Sequence, residues 1–189
     1  AFLSTGGIGG VHRSREGAVP ADVSGDLPQL ARSAVTVVSS GAKAVLDLPR
    51  TLEYLETLGV PLLGYRTDEF PAFVARESGL RLAHRVESPE EAARAVATYR
   101  QLGYRGGILI ANPPPSELAL ERATVERAVE AALTSSLIEQ IEGPAVTPFL
   151  LAELVRATEG ESLAVNLALL PANAALAAQI ALAYQSLRH

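Results

Sequence analysis

The chain has no cysteine, which excludes a disulfide framework and any thiolate metal site. Positive charge is scarce in one form: a single lysine stands against fifteen arginines. Net charge is −5 and no cluster of positive charge occurs, so a nucleic-acid surface is not expected. No apolar run is expected to reach the ~18 residues of a membrane span, and no charged-then-apolar signal pattern is found. The expected setting is cytoplasmic, with no membrane partner. Methionine is missing as well, even at the start. The sequence opens on Ala1-Phe2-Leu3, which reads as a buried strand already under way, and so as a fragment or a chain whose start was removed. At 189 residues the length suits one domain with a substantial core.

The one lysine, Lys43, follows the β-branched run Ala34-Val-Thr-Val-Val-Ser39 and the turn Ser40-Gly41-Ala42. Arginine cannot replace lysine where chemistry needs a free amine. The guanidinium stays protonated at any usable pH, whereas a desolvated lysine can lose its proton and attack a carbonyl. The spacing predicts a strand over 34–39, a helix from Leu46 to Leu58 with apolar residues three and four apart, and a strand over Val60–Tyr65. That strand–helix–strand unit implies a parallel pair with a crossover helix. Lys43 then lies at the carboxyl end of a strand, where open α/β sheets place their ligands.

Two further stretches carry polar groups of interest. In AFLSTGGIGGVHR, over 1–13, two Gly-Gly pairs flank Ile8. Their free N–H groups could cradle an anion, with Thr5 and His12 adding donors; a plain turn reads equally well. After a loop over 14–25 that contains Pro20 come Asp22, Ser24, Gly25 and Asp26, ahead of a short helix from Leu27 to Arg32. Oxygen side chains there serve either as a helix N-cap or as hard-cation and hydroxyl ligands.

Phe70 and Phe73, on an irregular loop, suit core packing or a pocket wall. Ser88-Pro-Glu-Glu predicts a capped helix start running to about Leu102, and Gly106–Ala111 a buried strand ending at Asn112. From Ser116 onward the pattern is helical, over 117–139, from a Thr147 cap with Pro148 in first position, and from Ser162 to Leu187. Asn166 and Asn173, seven apart, share a helix face if Pro171 does not break it. Buried amides in so apolar a stretch need partners.

Taken together, STGGIGGVHR, the D-x-S-x-D-L segment, SGAK, RTLEYLETLGVPLLGY, ANP, VTPFLL and SLAVNLALLPANAALA occur in order as in pseudouridine-5′-phosphate glycosidases, which the chain resembles along essentially its whole length. The resemblance implies an α/β/α sandwich with a mixed, largely parallel sheet and a helical C-terminal part, assembled as a homotrimer. It implies reversible cleavage of pseudouridine 5′-phosphate to uracil and ribose 5-phosphate with a divalent cation, Mn²⁺ or Mg²⁺. By the same resemblance Lys43 is the nucleophile, forming a Schiff base with C1′ of the opened ribose. Asp22 is the metal ligand. Ser24, Gly25 and Asp26 bind substrate, and Thr5, His12 and Asn166 lie around the ribose phosphate. Residues 1–189 then form a single domain, the C-terminal part of a longer family member. Family members carry a preceding segment with a Glu-Ser-Thr whose glutamate protonates the uracil, and a further substrate-contacting lysine. Neither occurs here, so the alternative expectation is a non-catalytic sugar-phosphate binder or inactive fragment.

Overall fold

The computed structural model describes residues 1–13 and 22–187; most of the loop expected around Pro20 lies outside them. Five strands, β1 (Phe2–Ser4), β2 (Thr36–Ser39), β3 (Leu62–Tyr65), β4 (Arg85–Val86) and β5 (Ile108–Ala111), form one sheet in the order β1-β2-β5-β3-β4. Every strand pairing in it is parallel, and antiparallel contacts occur as isolated bridges of loop residues such as Val11↔Val23 and Val11↔Asp47. Six helices accompany it: α1 (Asp26–Arg32), α2 (Leu48–Thr57), α3 (Pro89–Gln101), α4 (Arg122–Ile138), α5 (Val146–Ala157) and α6 (Glu161–Ser186).

The sheet is sandwiched, and the alternation of side chains across it explains how. Val37 and Leu109 face one apolar cluster, with Leu27 and Leu30 of α1, Leu48 and Leu55 of α2, and residues of α4 and α5. Val38, Ile108 and Ile110 face the other, with Ala92, Ala93 and Val96 of α3 and Leu176, Ala177 and Ile180 of α6. Parallel strands covered on both faces read as continuous apolar runs, as Ile108-Leu-Ile-Ala111 does. All four of those residues are buried.

That run corrects one expectation. β2 and β3 are joined by α2 but do not pair with each other; β5 lies between them, bonded to both. The most apolar strand takes the sheet centre, where it loses most contact with water. A second correction concerns the start of the chain. β1 is a strand, but an edge one, and Leu3 is 53% exposed rather than buried.

Helix starts follow local chemistry where a cap exists. Ser88 accepts the Glu91 N–H at 3.2 Å with Pro89 in the first turn, and Asp47 accepts the Arg50 N–H at 3.1 Å to open α2. Elsewhere the expectations shift. α4 begins at Arg122 rather than 117, because Pro113–Pro115 lead into a turn whose Leu120 N–H is taken by Val74 O. α5 begins at Val146 without a side-chain cap, so Thr147 is not its cap.

Helix α6 runs straight through Pro171 for 26 residues. By length and composition it could cross a membrane, contrary to the expectation from the sequence. A third of its apolar window (33%) is buried inside the fold. Its first half joins the cluster of α4 and α5 through Val165 and Leu169, and its second half joins that of α3.

Candidate functional site

All five strands point the same way, so their carboxyl ends share one edge of the sheet, and the loops leaving β1, β2 and β5 meet there. The glycine-rich turn after β1 runs beside the segment after β2 like a loose extra ladder. Ser40 N–H donates to Gly6 O at 2.8 Å, Ile8 N–H to Gly41 O at 3.0 Å, Lys43 N–H to Ile8 O at 3.1 Å, and Asp47 N–H to Val11 O at 2.9 Å. On its other side His12 N–H donates to Asp22 O at 2.8 Å and Ser24 N–H to Gly10 O at 2.9 Å. Residues 6–12 are thereby clamped between the Lys43 turn and the Asp22–Asp26 segment.

The glycines make that clamp possible through close approach. A Cβ on Gly9 would strike Ser24 and come within 3.0 Å of Asp26 Oδ2; one on Gly7 would lie 2.7 Å from the Phe73 ring; one on Gly10 would strike Thr51. None of these three requires positive φ. A plain surface turn would not need bare backbone on three sides, so packing density distinguishes this turn from one.

Several polar side chains finish the scaffold. The Asp26 carboxylate accepts the Gly9 N–H at 2.8 Å, and Ser24 Oγ accepts the Asp26 N–H at 3.2 Å. The cap reading of this segment holds for Ser24, whose hydroxyl takes the first N–H of α1, and is corrected for Asp26, whose carboxylate is turned to the glycine-rich turn; the N-cap residue itself is Gly25. Thr51, fully buried on α2, accepts the Val11 N–H at 3.0 Å and donates to Asp47 O at 2.7 Å. Arg13 donates to Leu46 O at 3.2 Å and Ala44 O at 3.3 Å, bracing the backbone just after Lys43.

Phe73 has φ of 62°, a left-handed conformation costly for a bulky residue. It is held by two bonds to Ser40, Phe73 N–H to Ser40 O at 3.1 Å and Ser40 Oγ–H to Phe73 O at 2.7 Å. Ser40 is the first residue of the Lys43 turn, so the strained ring, seated on Gly7, forms the wall beside the lysine. Sequence reasoning allowed that wall but did not single out Phe73.

Of the sequence-derived site residues, the structure brings most to this edge. Lys43 is half-buried, as are Thr5, His12 and Ser24. His12 Nε2 lies 3.3 Å from the Thr147 hydroxyl of α5, so Thr147 serves the histidine instead of capping its helix. Asn166 on α6 aims at the turn, its Oδ1 2.9 Å from the Cβ position of Gly6. Gly25 and Asp22 are exposed on the outer side. No cluster of three His, Cys, Asp or Glu that could hold a metal ion exists among the described residues, around Asp22 or elsewhere. A groove of about 290 Å³ between β1 and α1, lined by Thr5, Gly7, Ile8 and Asp26, adjoins the turn.

Asn173 was noted in the sequence only as an amide needing a partner. It is fully buried and has two: its Nδ2 donates to Thr5 O at 2.7 Å, and its Oδ1 accepts from Asn112 Nδ2 at 2.8 Å. It thus ties the ends of β1 and β5 to α6.

These features define a parallel α/β sandwich with an amine-bearing turn packed against a glycine-rich loop at its carboxyl edge. Residues 1–183 match the family model of indigoidine synthase A like proteins, and the chain belongs to that family. It is 55% identical over 177 residues to a pseudouridine-5′-phosphate glycosidase of Caldanaerobacter subterraneus subsp. tengcongensis, covering 94% of this chain and 57% of that one. To the enzyme of the same name from Staphylococcus aureus it is 49% identical, covering 98% of this chain and 60% of the relative. Among solved structures it superposes on the prealnumycin C-glycosynthase AlnA in complex with ribulose 5-phosphate, with a TM-score of 0.90 and 40% identity, over 98% of this chain and 60% of that one. An indigoidine synthase A-like protein of Thermotoga maritima gives 0.80 and 39%, over 96% and 58%. The chain spans less than two thirds of the length of each of these relatives.

Proposed function

We propose that this chain carries the amine and sugar-phosphate part of a pseudouridine-5′-phosphate glycosidase site, as the C-terminal part of a longer family member. The observation that carries the reading is the clamp itself. The only lysine of the sequence is bonded through its own N–H to the glycine-rich turn, at the sheet edge where α/β proteins place ligands. About half of the residues are identical to those of enzymes bearing that name, and AlnA binds a pentose 5-phosphate.

In the proposed reaction Lys43 Nζ, as the free amine, bonds to C1′ of the ribose while the C1′–O4′ bond opens and O4′ takes a proton. The carbon–carbon bond from C1′ to uracil then breaks. Its electron pair takes a proton at the uracil carbon, and the Nζ lone pair makes the C1′=Nζ iminium. Water adds to C1′ and returns the free amine and open-chain ribose 5-phosphate. An amine suits this bond because a carbon glycoside offers no leaving-group oxygen to protonate. The acid for the uracil carbon is expected on the family's preceding segment.

The other residues bind and hold. Thr5, His12 and Asn166 would meet the phosphate and the sugar, while Ser24, Gly25 and Asp26 would shape the substrate's other side. Asp22, exposed and held in place by the bond from His12 N–H to its backbone carbonyl, would hold Mn²⁺ or Mg²⁺ by one carboxylate. Such an ion keeps most of its waters, so a lone acid fits it, and when bound it supplies positive charge. The proposed setting is cytoplasmic and the proposed assembly a homotrimer.

The test is an intact mass after incubation with ribose 5-phosphate and borohydride. A single reduced sugar-phosphate adduct mapping to Lys43 is expected. No adduct, or one that survives in Lys43→Ala, would overturn the amine's role. A second reading, a sugar-phosphate binder without catalysis, is favoured by the 57–60% coverage of the curated relatives. Absorbance at the uracil band separates the two, since a binder releases none.

A further inference from the structure

We infer that Asn112 is a substrate-binding residue whose carboxamide oxygen accepts a hydrogen bond from a ribose hydroxyl; this rests on the sugar-phosphate reading above. The backbone carbonyl of Thr5 can only accept, so the Asn173 atom facing it at 2.7 Å must be the NH₂ group. The remaining atom of that amide is therefore its oxygen, and it too can only accept. Asn112, 2.8 Å from that oxygen, must in turn present its own NH₂ group. One immovable backbone carbonyl thus sets the polarity of two side-chain amides in series. Asn173 is fully buried and cannot turn over without leaving two buried groups unpaired.

The consequence falls on the one atom left. Asn112 Oδ1 is fixed in identity and accepts no hydrogen bond among the described residues. Asn112 is only half-buried, so this acceptor is not an internal one. Its place is set as well. Its backbone N–H donates to Ser39 O at 2.8 Å, and Ala111 before it pairs with Ser39. Asn112 is thereby level with Ser40, the first residue of the turn that carries Lys43. It follows the central strand at the same sheet edge as Thr5 and the glycine-rich turn. Lys43, His12 and Thr5 bring half-buried donor side chains to this edge. A pentose phosphate has acceptors for these in its phosphate, but its hydroxyls also need an acceptor, and an oriented amide oxygen is the group that supplies one.

The test is calorimetry of the unaltered chain and Asn112→Ala with ribose 5-phosphate and its 2-deoxy and 3-deoxy analogues. The unaltered chain should bind one deoxy analogue about tenfold more weakly than ribose 5-phosphate, the worth of one hydrogen bond. Asn112→Ala should bind ribose 5-phosphate about tenfold more weakly and lose the discrimination against that analogue, because the hydroxyl then has nothing to meet. A purely structural asparagine would lower affinity for all three ligands alike. Full discrimination retained in Asn112→Ala overturns the inference and leaves the sugar-phosphate reading intact. If the unaltered chain binds no ribose 5-phosphate, both fall together. Should alanine prevent folding, Asn112→Ser, whose hydroxyl stops one atom short of the amide oxygen's position, is the second variant, and the same loss of discrimination is expected.

Discussion

At the scale of single residues, the site depends on atoms that are missing as much as on those present. Gly9 has no Cβ, and its N–H reaches Asp26 only because Ser24 lies where a methyl would go. Gly9→Ala should cost about 1–3 kcal/mol through forced displacement and should weaken ribose 5-phosphate binding; urea unfolding and calorimetry read the two effects. Lys43→Arg makes the complementary point. It keeps the positive charge, so the melting temperature should stay close to that of the unaltered chain, yet the borohydride adduct should vanish because a guanidinium stays protonated. An adduct on another residue of that variant would refute the assignment. The sequence singled out Lys43 because a rare amine among arginines draws notice without any knowledge of its neighbours, and the structure puts it at the sheet edge as expected. Thr51 was not singled out, and neither were the partners of Phe73 and Asn112, whose places in the core and at a strand end were expected. Each of the three gains its meaning from a partner 40, 33 or 61 residues away, and no local spacing announces such a pairing.

At the scale of elements, α2 is the brace that holds the turn. Its Thr51 hydroxyl links the Val11 N–H to Asp47 O, joining the loops after β1 and β2. Thr51→Val preserves shape but strands a buried N–H, and should destabilise by about 1–3 kcal/mol. Thr51→Ser should recover most of this, as the shift in urea midpoint would show. Helix α3 offers a pH-dependent case. The hydrogen bond from the Ser88 side chain, then that from its own backbone N–H, hold the Glu90 carboxyl below its ordinary range. A carboxyl lowered on folding stabilises most above its unfolded value, and that contribution fades as pH falls through the folded one. Ser88→Ala should therefore lose more stability at neutral pH than below the carboxylate range, in paired melting curves. The start of α3 was legible because its cap is local, whereas α2, expected from Leu46 on periodicity alone, starts two residues later behind its Asp47 cap. The order of strands was not legible, because adjacency in a sheet is decided by burial. β5 displaces the expected β2–β3 pair by being apolar on both faces.

At the scale of the whole molecule, α6 is the element that the fold does not fully use. Its buried residues include Val165, Leu169, Asn173, Leu176 and Ile180, yet its outer side carries Leu163 and Leu167, exposed by 45% and 59%, and further along Leu182 at 66%. A helix that is apolar all round belongs inside something. This is why the sequence could not tell its inner face from its outer one, and why it can pass for a membrane span by composition. A polar residue breaks the run where α6 meets the site, at Asn166 and Asn173, which marks the helix as one that delivers side chains to a sheet edge. The proposed trimer gives the outer leucines a place, since second copies of the chain would cover them. Light scattering should then give three times the 19.8 kDa of the chain. Leu167→Arg, which sets a charge in the middle of the outer stripe and touches none of the site residues, should return it to 19.8 kDa. It should leave the helical signal of the chain unchanged, because the altered position faces away from the core. A monomer in the unaltered chain would remove the trimer, and would leave the outer face of α6 to be covered by polypeptide beyond these residues.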